Sequence, residues 1–241
     1  MIALSTVFVF SLVQSLFGMG LLIFGTPTLL LLGFDFSATL ATLLPASITI
    51  SFIQVLEDRF IEPRFVRHFA LWCLPPLGLG LAILIRYGPE LPLEPVLGTI
   101  MLVFASLQLM PKLSTRARVA VRRNSTVWMV VMGTVHGLSN LGGSVLSVVA
   151  TAFSSDKLKI RRTIAFCYLS FAIVQILILL VFQPGIFNRS HLLTMALAGT
   201  VYILLGRRTF RRLPQMAFER LFVMFMFAYG FILFAKGFGL I

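Results

Sequence analysis

Leu16-Phe17-Gly18-Met19-Gly20 interrupts one apolar run, and Leu138-Ser139-Asn140-Leu141-Gly142-Gly143 interrupts another about 122 residues later. Other landmarks recur at nearly the same offset. Leu91-Pro92 matches Leu213-Pro214, and Phe104-Ala105 matches Phe227-Ala228. Thr42 and Gln54, twelve apart, match Thr163 and Gln175, also twelve apart. Each match alone is weak; four in the same order point to a duplication. A duplicated apolar chain whose halves each carry a broken helix has the plan of a secondary transporter.

Composition sets the class. The 241 residues are 59% hydrophobic, with a mean hydropathy of +1.00, far above a soluble domain. Apolar stretches long enough to span a bilayer run near 36–56, 69–85, 93–110, 163–183, 187–206 and 217–235. Two more, 2–33 and 126–153, contain the breaks. The start has no basic leader region and no small-residue cleavage site, so it reads as mature protein. Cys73 and Cys167 lie inside apolar spans, too few and too distant for a metal framework or a disulfide fold, and read as packing residues.

The formal charge of +12 could suggest nucleic acid, but the Lys and Arg residues sit between spans, as membrane topology requires. If each broken segment crossed once, the basic residues would divide 10:10, which is no bias. If each enters and leaves on one side, 17 of the 20 collect on one face and only Arg86, Arg189 and Lys236 lie opposite. The second arrangement is the one expected. It gives an all-α integral membrane protein of two inverted repeats, each a re-entrant helical hairpin plus three transmembrane helices. Repeat one covers 1–110, a basic cytoplasmic linker 111–125, and repeat two 126–241. Both termini are expected outside.

The hairpin arms are about 11 to 16 residues, too short at 1.5 Å per residue to cross a ~30 Å core. Their tips should lie near mid-membrane, buried in protein or lining a wet cavity. A helix restarting after a glycine break presents unpaired N–H groups and a positive dipole end, which suits an anion. Candidate substrate-binding residues are therefore Gly18, Met19 and Gly20 at one tip, with Ser139, Asn140, Gly142, Gly143 and Ser144 at the other. His136 stands close to the second tip, while Thr42, Gln54, Thr163 and Gln175 lie on the spans that follow. Glycines in membrane helices also serve close packing, and a lone histidine is more often structural. Arg161 and Arg162 could steer anions inward, or simply set topology.

Acidic residues narrow the substrate by where they are absent. All eight, Asp35, Glu57, Asp58, Glu62, Glu90, Glu94, Asp156 and Glu219, fall at span ends or in loops. Cation-driven carriers usually hold a carboxylate at depth. None is available here, and His136 is the one titratable group expected near the cavity.

At these residues the chain resembles the TauE/SafE sulfite-exporter family. That family carries a Gly-x-Gly-Gly-Gly run, then a proline, in a leading helix of each half. Here the first copy is Gly18-Met19-Gly20-Leu21-Leu22 with Pro27, and the second is Asn140-Leu141-Gly142-Gly143-Ser144 with Val149 at the proline position. The likeness extends through Thr39-Leu40-Ala41-Thr42 and the spacing of the remaining spans. It implies transport of small sulfur-containing anions across the bacterial cytoplasmic membrane.

The expected function is export of sulfite or a short organosulfonate through a site at the two breaks. The alternative is a carrier for another small organic anion, with proton coupling or uptake. A membrane-embedded enzyme would need a nucleophile–base pair or metal cluster at depth, and scattered His68, His136 and His191 do not offer one. No catalytic residue, metal or cofactor is expected. The expected partners are the anion and membrane lipid, not nucleic acid, with a homodimer left open.

Overall fold

The computed structural model describes residues 1–57, 61–87, 93–154, 156–212 and 215–240. Leu91-Pro92 and Leu213-Pro214, part of the duplication argument, fall wholly or partly outside them. Every regular element among the described residues is helical. In a low-dielectric surround a helix satisfies its own backbone, which is why so apolar a chain takes this form.

The first half comprises α1 (Ile2–Phe17), α2 (Leu21–Leu31), α3 (Phe36–Glu57), α4 (Pro63–Trp72), α5 (Leu74–Tyr87) and α6 (Leu93–Leu109). A connecting helix α7 (Pro111–Arg123) follows. The second half comprises α8 (Ser125–Ser139), α9 (Gly143–Phe153), α10 (Lys157–Phe182), α11 (Ser190–Val201), a π-helical turn at Tyr202–Gly206, α12 (Arg207–Arg212) and α13 (Gln215–Gly237).

Three helical stretches among the described residues are long and apolar enough to cross a membrane: Phe36–Glu57, Pro63–Tyr87 and Leu158–Phe182. Six were expected; the others are shorter apolar helices or are interrupted. The span expected at 69–85 falls within Pro63–Tyr87, where α4 and α5 follow each other with only Cys73 between them. Pro75 and Pro76 have no N–H to return to the carbonyls of Leu71 and Trp72, so the ladder opens there. The stretch expected at 187–206 starts its helix at Ser190 and ends in the π turn. The linker at 111–125 is itself largely helical, as α7.

Burial is arranged for lipid. Leu79, Leu177 and Val181 are exposed, while Gln14, His136, Asn140 and Gln175 are fully buried. Bare apolar surface on this scale suits a bilayer. Inside, α3 packs against both α10 and α11, α5 against α8 and α10, and α6 against α13. The α5–α8 approach depends on Gly133 and Gly137, one turn apart. A Cβ there would lie 2.1 and 2.3 Å from the carbonyl oxygens of Cys73 and Leu77. This is small-residue packing of the kind membrane helices use.

Contacts also sort the loops by face. Glu57 at the end of α3 pairs with Arg161 near the start of α10 and with Arg207 at the start of α12. Arg122 of α7 donates to the Ala152 carbonyl at the end of α9. The His68 ring meets the hydroxyls of Ser125 and Thr126 at 3.4 and 3.5 Å. These contacts join residues 57, 68, 122, 125, 152, 161 and 207 at one end of the molecule. They agree with the 17:3 division and not with the 10:10 one.

Candidate substrate-binding site

Both breaks are built by the same backbone device. Helix α1 ends with Gly18 in the left-handed region at φ 74°, its N–H 2.8 Å from the Gln14 carbonyl. Helix α8 ends with Asn140 at φ 60°, its N–H 2.8 Å from the His136 carbonyl. Asn140 is the one non-glycine residue with positive φ among the described residues. Asparagine tolerates that region better than other side chains, which explains why it can replace glycine here.

After each break the chain turns back. A Cβ on Gly20 would lie 2.6 Å from Val13 Cγ1, and one on Gly142 would lie 2.9 Å from the Met132 carbonyl oxygen. In a continuous helix residues seven and ten apart are separated along the axis by about 10 and 15 Å. The segments are therefore helical hairpins, and they meet. Asn140 Nδ2 donates to Thr26 Oγ1 of α2 at 2.7 Å. Gly143 faces Ile23, also of α2.

The glycines serve first as contact points for the protein's own atoms. Gly18 lies against the Arg161 carbonyl, Gly142 against His136, and Gly143 against the Tyr168 hydroxyl, each too close for a Cβ to fit without movement. Met19 is buried in the core. Ser139 and Ser144 hold the second break locally: Ser139 Oγ donates to the Val135 carbonyl, and Ser144 Oγ donates to the Leu141 carbonyl.

Polar side chains gather beside each break. At the first, Gln14 Nε2 lies 3.0 and 3.1 Å from the hydroxyls of Ser47 and Ser51 on α3. From α3, Gln54 Nε2 donates to the carbonyls of Gln14 and Ser15, both at 3.2 Å. That satisfies the orphan carbonyl of Ser15 and adds a second donor to the Gln14 carbonyl, which already accepts from the Gly18 N–H. At the second, Gln175 of α10 donates to Asn140 Oδ1 at 3.2 Å. The two glutamines thus occupy corresponding places, each reaching from the helix after a hairpin to the break.

The second cluster is the less satisfied. His136 is buried, stacked on Phe171 at 4.2 Å between centroids and edge-on to Tyr168 at 5.8 Å. Both His136 ring nitrogens, the Tyr168 hydroxyl and Gln175 Oε1 are buried without a hydrogen bond of ordinary geometry, with the Gln175 side chain lying beside the His136 ring. Leaving such groups unpaired costs about 1–3 kcal/mol each. A ligand that accepts hydrogen bonds would recover part of that. Among the described residues no acidic side chain is buried to oppose an anion.

Two candidates stand apart. Thr42 spends its hydroxyl on the Ala38 carbonyl of its own helix. Thr163 lies half-buried near the start of α10 and takes no part in these hydrogen bonds. Conversely, Ser47, Ser51, Thr26 and Tyr168 join the clusters without having been singled out from the sequence. Ser47, Ser51 and Gln54 are spaced i, i+4, i+7, a polar stripe on one face of an apolar span, and that signal was readable. Arg161 is held at the end of the bundle, where its guanidinium lies 3.8 Å from Glu57 and 3.7 Å over the Phe210 ring.

Broken apolar helices folded back on each other, around buried polar clusters and inside an apolar outer surface, define a multi-pass membrane protein of the transporter class. The chain belongs to the sulfite exporter TauE/SafE family, whose model matches residues 3–233. No curated protein and no solved structure matches it.

Proposed function

We propose that this protein exports a small sulfur-containing oxyanion, sulfite or a short organosulfonate, through a mid-membrane site formed by the two helix breaks. The observation that carries this reading is the second break, where His136, Tyr168 and Gln175 keep buried polar atoms unpaired beside Asn140 and Gly143. Tyr168 can donate to an oxyanion, as can whichever ring nitrogen of His136 carries the proton. Rotating the Gln175 amide would turn its donor from Asn140 toward the same space. Family membership supports the substrate class.

Inverted repeats belong to the same proposal. Exchanging α1, α2, α3, α5 and α6 with α8, α9, α10, α11 and α13 sends the α1–α11 contact to α8–α5 and the α2–α13 contact to α9–α6. It leaves α3–α10 and α6–α13 on themselves. A pseudo-twofold axis would run through those two pairs, as inverted repeats require. The face that gathers the basic residues is read as cytoplasmic by the positive-inside rule, within a bacterial inner membrane.

With no carboxylate buried among the described residues to bind a coupling cation, the driving force is the membrane potential, worth about 2.3 kcal/mol per charge per 100 mV for an outgoing anion. In proteoliposomes, sulfite efflux should follow an imposed potassium-diffusion potential and respond little to a pH gradient once substrate protonation is subtracted. His136→Gln should keep potential-driven flux, since Gln retains a donor. Flux that instead tracks the proton gradient and vanishes in His136→Gln would establish a proton-coupled carrier. A panel of sulfite, sulfate, taurine, sulfoacetate and carboxylate analogues, read by thermal shift, separates sulfur oxyanions from other small organic anions.

A further inference from the structure

Away from the breaks, α7 and the turn between α9 and α10 enclose an open cavity of about 550 Å³ at the basic end of the molecule. Arg118, Arg122 and Lys159 bring three cations to its wall, with the hydroxyls of Thr115, Thr151 and Ser154. The one carboxylate present, Asp156, is engaged elsewhere: its Oδ1 accepts from the backbone N–H groups of Leu158 and Lys159 and caps α10. Arg122 Nε is tied to the Ala152 carbonyl, which fixes its guanidinium in the wall. The cavity therefore offers cationic donors in excess over its one carboxylate, while the Thr151 hydroxyl is spent on the Ser147 carbonyl.

Its remaining lining is of the opposite character. Val119 is 61% exposed and Phe153 is 53% exposed, and both belong to the same cavity. The helix carrying Arg118 and Val119 begins two residues after the apolar α6 ends. Cations beside uncovered apolar side chains match a molecule with a phosphate at one end and acyl chains at the other. A basic pocket between helices at the membrane boundary is a recurring form of such a site.

We propose that this cavity binds the phosphate headgroup of an anionic phospholipid, with the lipid's chains against Val119 and Phe153. The bound lipid would bridge the helix connecting the two halves to the outgoing arm of the second hairpin. It would thereby stabilise the hairpin that carries Asn140 and His136.

The test uses the full-length protein in neutral detergent, with phosphatidylglycerol as probe and phosphatidylcholine as control. Phosphatidylglycerol should raise the melting temperature saturably, and phosphatidylcholine should not. Arg118→Gln and Lys159→Gln should each weaken the apparent affinity about fivefold. Arg116→Gln, exposed on the same helix outside the cavity, should leave it unchanged. Two cavity variants are used so that one remains informative if the other does not fold. Equal shifts with both lipids, or equal weakening by Arg116→Gln, would show only diffuse attraction and overturn the site. Saturation by soluble glycerol 3-phosphate at comparable concentration, with no further gain from lipid, would overturn the lipid assignment in favour of a free phosphate ester.

Discussion

Asn140 combines two duties that mutagenesis can separate. Its backbone sits at φ 60°, and its amide bridges Thr26 of α2 to Gln175 of α10. Asn140→Gly keeps the left-handed conformation and loses the bridge. Asn140→Ala loses the bridge and also strains the backbone by roughly 1–2 kcal/mol. Thermal unfolding should therefore rank wild type above Asn140→Gly and Asn140→Gly above Asn140→Ala. Equal melting temperatures for the two variants would show that φ is not what selects the residue. Gly143 is constrained differently, because a Cβ would lie 1.9 Å from the Tyr168 hydroxyl. A bulky residue at Gly143 would displace Tyr168, so loss of transport in such a variant would not by itself identify a bound anion.

At the scale of elements, the instructive case is how α1 is stopped inside an apolar bundle. Water is not at hand for its last carbonyls, and a side chain from another helix must supply the donor. Gln54 does this for Ser15, and shares the Gln14 carbonyl with the Gly18 N–H. Gln54→Leu should destabilise the protein by about 1–3 kcal/mol, because it orphans the Ser15 carbonyl while Gln14 keeps its donor from Gly18. Hydrogen exchange should quicken at Leu16 to Gly20 before it does elsewhere. If the variant melts with the wild type and exchange there is unchanged, Gln54 does not hold the break. The π turn at Tyr202–Gly206 packs against the same place, with Gly206 against Ser15 and the Tyr202 hydroxyl donating to Glu57 at 2.7 Å. The end of the first hairpin is thus braced by elements of the second half.

For the whole molecule, the gathering of basic segments on one face makes a topological prediction. Cys73 and Cys167 are both buried, so an introduced surface thiol can be read against a low background. Asn124→Cys, exposed between α7 and α8, should resist an impermeant thiol reagent in intact cells and react after permeabilisation. Phe238→Cys, exposed beyond α13, should react without permeabilisation. Labelling of Asn124→Cys from outside would reverse the proposed orientation. Glu57 ties α3 to α10 and α12 on that same face. Each tie joins the two halves, so the face would have to open there if the halves rock about a central site.

The sequence by itself determined the class, the two breaks and the sidedness of the charge. Each is recorded in composition or in local order: an apolar excess, a repeated glycine interruption, and basic residues confined to loops. It also showed Gln54 and Gln175 as a matched pair, each twelve residues after a threonine. Only the tertiary structure decided what those residues touch. Nothing local says that Gln54 caps a helix ending 37 residues earlier at Phe17, or that Tyr168 fills the space above Gly143. Glycine is read the same way whether a ligand or a neighbouring helix approaches it, and here neighbouring side chains and carbonyls do. The π turn was hidden for a related reason, whereas the break at Pro75-Pro76 stands in the two prolines themselves. Hydropathy reports how long a segment stays apolar, whereas helix continuity depends on which backbone groups find partners once the helices are packed.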